Sequence, residues 1–78
     1  MIQKDTFTDV LVFKTNVCEH SDLEKVASVI TADSRIKKWN IDQGDVDNVL
    51  RIEAHRLHPA DVILLVRQAG FQCEELPD

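Results

Sequence analysis

The feature that most constrains this chain is a change of hydrophobic period across one short polar stretch. Val10, Leu11, Val12 and Phe13 form an unbroken run of β-prone apolar residues, which predicts a strand from Thr8 to Lys14 covered on at least one face. Beyond the polar segment Thr15 to Ser21 the spacing turns helical: Leu23, Val26, Ala27 and Ile30 fall at i, i+3, i+4 and i+7. Ser21 is the expected N-cap, with Glu24 three residues later closing a capping box. Asp22 and Glu24 also suit the positive end of the helix dipole. The helix is expected to end between Thr31 and Asp33, where TADS is poor helix material.

The remainder repeats the strand and helix signals in a new order. Arg35 to Asp42 reads as a strand with Trp39 and Ile41 on one face and Lys38 and Asn40 on the other, Ile36 breaking the alternation. Gln43 to Asp47 supplies turn residues, and Asn48 to His55 forms a hairpin partner with Leu50, Ile52 and Ala54 on one side. Pro59 suits the first turn of a second helix that runs to about Ala69, with Gly70 as its left-handed cap. Val62, Leu65, Val66 and Ala69 make its core stripe, and Leu64 is left facing solvent. Phe71 to Leu76 is a last short strand ended by Pro77, and Met1 to Thr6 is a loose tail. The order β-α-β-β-α-β predicts one α+β domain spanning 1–78, with its core at about 8–76. Its architecture is a ferredoxin-like βαββαβ sandwich: a four-stranded antiparallel sheet, both helices on one face, strands one and three central and strand four at an edge.

Size and charge narrow the function classes. With 78 residues there is room for one modest core and no deep, closed active site. The net charge of −5 argues against nucleic acid and anionic membrane surfaces, and permits a basic protein partner or a cation. No apolar run is long enough to span a membrane, and MIQKDTFTDV lacks a signal-peptide core, so a cytoplasmic setting is expected. There Cys18 and Cys73 would be thiols, and their spacing makes no CxxC motif. No Ser-His-Asp order, phosphate-binding glycine loop or carboxylate pair in a cleft is present, so the chain is not expected to be an enzyme. An acylphosphatase-like catalyst of the same topology would want an Arg after the first strand, and Thr15 to Ser21 has none.

The tail PADVILLVRQAGFQCEEL, with Pro59, Val62, Ile63, Val66, Ala69, Gly70 and Phe71, resembles the heavy-metal-associated family of copper chaperones and ATPase metal modules. Ile36 matches the apolar residue that opens the family's second strand, and the resemblance extends from Val10 to Leu76. It implies a metal motif M-x-C-x-x-C before the first helix. Aligned on Val26, Val17 takes the Met position, Glu19 and Asp22 take the two thiolate positions, and Cys18 falls between Met and first Cys. A slip of one residue makes Cys18 the first ligand but leaves Ser21 as the second.

The leading expectation is therefore a small non-catalytic interaction module with a degenerate metal loop. It engages a protein partner or a second copy through Asn16 to Asp22 and the Phe71 turn, or through a sheet face bearing Val49, with Trp39 either an exposed anchor there or, as favoured, partly buried under the first helix. The alternative is a divergent metal-trafficking protein in which Cys18 and His20 hold Cu or Zn weakly, with Glu19 or Asp22 added. A further alternative is an ACT-like small-ligand regulatory domain, which shares the topology. Cys73 lies at the sheet end nearest Cys18, which would allow a split dithiol, although a buried thiol is the commoner fate. Asp42, Asp45 and Asp47 are adequately explained by turn formation, and His55 and His58 straddle a strand end and a helix start.

Overall fold

The computed structural model describes residues 8–76, so the expected N-terminal tail and the stop at Pro77 lie outside the described residues. Its elements are β1 (Thr8–Thr15), α1 (His20–Ile30), β2 (Ile36–Asp42), β3 (Val49–His55), α2 (Pro59–Gln68) and β4 (Cys73–Glu75). The strands form one antiparallel sheet in the order β2-β3-β1-β4, the ferredoxin-like arrangement with β1 and β3 in the middle.

Register fixes which side chains meet the helices. Phe13 stands opposite Leu50 and Leu11 opposite Ile52, while Ile41 and Trp39 pair with the same two β3 residues from the other side. Phe13, Leu50, Ile52 and Ala54 are fully buried together with Val26 and Ile30 of α1 and Val62 and Val66 of α2. Each of these side chains larger than that of Ala54 contributes roughly 1.5–3 kcal/mol when removed from water. The opposite sheet face carries Val10, Val12, Lys14, Lys38, Asn40, Arg51 and Glu53, a mixed surface in which Val10 is 55% exposed. A register irregularity between Ile36 and Lys38 accounts for the broken alternation of β2: the extra residue returns Ile36 to the core side, opposite Ala54.

Trp39 is half-buried and packs against the core, and its pairing with Ile52 sets it on the helix side of the sheet. This partial burial is the favoured expectation for Trp39, and it leaves the open face to Val49 without the tryptophan. Leu64 is 59% exposed, as its position outside the α2 stripe predicts. Gly70 closes α2 at φ 98, where the Phe71 N–H donates to the Val66 carbonyl at 3.2 Å and the Gly70 N–H to the Arg67 carbonyl at 2.9 Å. The last strand is shorter than expected, pairing only Cys73, Glu74 and Glu75 with Thr15, Lys14 and Phe13.

Candidate functional site

The polar stretch after β1 is built from a buried foot and an exposed arch. Thr15 is 6% exposed and Val17 is fully buried, with Asn16 between them at the surface. The Thr15 hydroxyl donates to the Asn48 carbonyl at 2.7 Å and accepts from the Val17 N–H at 3.2 Å. The Thr15 N–H donates to the Asp47 carbonyl at 3.1 Å, so the foot of the loop is strapped to the β2–β3 turn. Asn48 adopts φ 45 to present that carbonyl, a conformation Asn tolerates better than most residues.

With Val17 anchored inward, the chain turns into α1 at once. The N-cap is Glu19, in extended conformation, and the Glu19 N–H donates to Asp22 Oδ2 at 3.3 Å. Ser21 and Glu24, expected as the capping pair, instead lie inside the helix. The cap is displaced toward the N-terminus because burial of Val17 fixes where extended backbone ends. Cys18 therefore sits one residue before the cap and His20 is the first helical residue, both exposed. His20 Nε2 lies 3.4 Å from Glu24 Oε2, a surface pair with both side chains largely solvated. Among the described residues, no group of three or more His, Cys, Asp and Glu is arranged to hold a metal ion.

The other sequence candidates separate from this loop. Asp42 and Asp45 are turn formers: their Oδ1 atoms accept from Gly44 N–H at 3.0 Å and Asp47 N–H at 2.9 Å. His58 is the N-cap of α2, its N–H donating to Asp61 Oδ2 at 3.2 Å. Cys73 stands opposite Thr15 at the end of the sheet and is half-buried, and burial pushes its thiol up to about 12. Both cysteines are free.

One cleft adjoins the loop foot. It encloses about 440 Å³ and is lined by Lys14, Thr15, Asn16, Arg67, Phe71, Gln72, Cys73 and Glu74. Asn16 Oδ1 accepts from the Gln72 N–H at 2.8 Å, joining the end of β1 to the approach of β4. Cys18 and His20 are not among the lining residues. Arg67 and Lys14 carry no local motif, and only the fold brings them to one cleft.

No protein-family model matches the chain, and no curated protein matches it. Solved structures do. The chain is similar to a yeast copper transporter domain, Ccc2a, solved in apo and Cu(I)-loaded states, at 15% identity and a TM-score of 0.74, covering 88% of this chain and 96% of that one. It is similar to the N-terminal domain of PacS from Synechocystis at 10% identity and 0.75, covering 88% and 98%. It is also similar to the HMA domain of a copper chaperone for superoxide dismutase at 14% identity and 0.78, covering 99% and 80%. Identities this low establish the shared fold: the chain has the architecture of heavy-metal-associated domains.

Proposed function

We propose that this chain is a small, non-catalytic interaction module on a heavy-metal-associated scaffold, and that its loop Asn16 to Asp22 meets a protein partner or a second copy. The observation that carries this reading is the division of the loop into a buried foot and exposed side chains. Thr15 and Val17 are buried and hydrogen-bonded, whereas Asn16, Cys18, Glu19 and His20 face solvent. Preorganised exposed side chains bind with little ordering cost. The Phe71 turn, tied to Asn16 through Gln72, extends the surface. Two free cysteines agree with a reducing, cytoplasmic setting.

The donor chemistry supports a degenerate metal loop. Cys18 is the one sulfur on the loop, and one Asp22 oxygen is already engaged by the helix cap. A second reading keeps Cys18 and His20 as a weak Cu or Zn site, favoured by their shared exposure at the start of α1. Two donors fall short of the four ligands of a structural zinc site, or the three plus water of a catalytic one.

The test is sedimentation of the purified chain across a wide concentration range, alone and mixed with candidate partners, compared with a variant carrying Asn16→Ala, Cys18→Ala and His20→Ala. Association that the triple variant weakens supports the module. A chain that remains monomeric and partnerless, or an association indifferent to the three substitutions, contradicts it.

A further inference from the structure

We infer that the cleft between the end of β1 and the C-terminal turn of α2 binds a small carboxylate bearing an apolar or aryl group, with Arg67 as its anchor. Its volume of about 440 Å³ lies in the range of small-molecule sites, roughly 300–1,000 Å³. The cleft shares Asn16 and the Phe71 turn with the proposed contact surface, whereas Cys18, Glu19 and His20 take no part in it.

The charge arrangement singles out Arg67. Cations in the last turn of a helix often serve its free carbonyls. Here the carbonyls of Leu65, Val66 and Arg67 already accept backbone N–H groups from Ala69, Phe71 and Gly70. Arg67 forms no ion pair and no side-chain hydrogen bond among the described residues, although the chain as a whole is acidic. Lys14, by contrast, lies 3.9 Å from Asp47 and stands in register opposite Glu74, itself a lining residue, so its charge is already offset by carboxylates and Arg67 is the lining cation left to a ligand. A guanidinium offers a planar fork that fits a carboxylate bidentately.

The rest of the lining suits the ligand's other end. Phe71 and Cys73 are half-buried and form an apolar wall. Burial keeps the Cys73 thiol protonated at neutral pH, so it adds no negative charge to repel a carboxylate. The Asn16–Gln72 hydrogen bond ties two lining residues together, which lessens the ordering needed on binding.

The experiment is an NMR titration of the ¹⁵N-labelled chain with phenylacetate, with its uncharged isostere phenylacetamide, and with inorganic phosphate. Phenylacetate is expected to give saturable shifts at the amides of residues 14–16 and 71–74. Arg67→Gln, an exposed change that leaves the spectrum dispersed, should weaken binding about tenfold, as expected for loss of one charge-assisted pair. Phenylacetamide should give no saturable shift. Non-saturable shifts, equal binding by Arg67→Gln, or equal response to the amide would overturn the assignment. Phosphate binding as well as phenylacetate would also overturn it, reducing the cleft to a general anion attractor.

Discussion

The hydroxyl of Thr15 donates to the backbone carbonyl of Asn48 at 2.7 Å, across 33 residues, while the same oxygen accepts the N–H of Val17 at 3.2 Å. One buried oxygen thus holds the exposed loop against the turn of the central hairpin. Replacing Thr15 with Val keeps the shape but leaves a buried donor and acceptor unmatched, which costs about 1–3 kcal/mol. For a domain of this size, each kcal/mol lowers Tm by roughly 4–8 °C. Thr15→Ser, which retains the hydroxyl, should recover most of the loss in a thermal melt. Equal Tm values for Thr15→Val and the parent would contradict the strap.

Gly70 offers a second test, of conformation alone. It sits at φ 98, and a Cβ built there would meet nothing within 4 Å. Gly70→Ala should therefore destabilise by about 1–2 kcal/mol through backbone strain, without a clash. Urea unfolding should show a lower midpoint with an unchanged slope.

The two thiols should differ sharply in reactivity. Cys18 is exposed, whereas Cys73 is half-buried with its thiol pushed up to about 12. Because the thiolate is the reactive form, iodoacetamide at neutral pH should modify Cys18 first and Cys73 only slowly. In denaturant the difference should disappear. Equal native rates at the two positions, read by mass spectrometry, would contradict the placement of Cys73.

Acid stability should report on Asp33. Its carboxyl is held at about 2, below the usual 3.8, chiefly by the Arg35 side chain, which donates from Nη2 to Oδ2 at 2.7 Å and from Nε to Oδ1 at 3.0 Å. The folded value is depressed, so the stabilisation is complete above about pH 4 and is lost as pH falls toward 2. Asp33→Asn should lower stability at pH 6 and flatten its fall between those limits. An Asp33→Asn variant with an unchanged acid slope would show that the pair does not couple to folding.

The order of elements was legible because changes of hydrophobic period, from the Val10–Phe13 run to the Val62/Val66 stripe, coincide with the turn residues at Gln43–Asp47, Pro59 and Gly70. What escaped were features set by tertiary anchoring. The α1 cap moved to Glu19 because Val17 is buried, a fact that its neighbours Asn16 and Cys18 do not signal. Ile36 looked out of phase because the irregularity beside it shows only once β2 pairs with β3. The half-burial of Trp39, by contrast, was legible from the alternation that sets it on one face with Ile41. Of the site, Cys18 and His20 were recognisable as donor-type side chains before the first helix, but their exposure, the bond between Thr15 and Asn48, and the cleft that Arg67 and Asn16 both line are set only when the sheet closes.

The chain has the fold of heavy-metal-associated domains, and its loop before α1 offers a single sulfur. The most direct measurement is native mass spectrometry of freshly reduced chain, mixed with Cu(I) or Zn(II) and then with a competing chelator. The chelator is expected to strip all metal and leave the apo mass. One metal ion per chain retained against the chelator, and lost on Cys18→Ser, would contradict it.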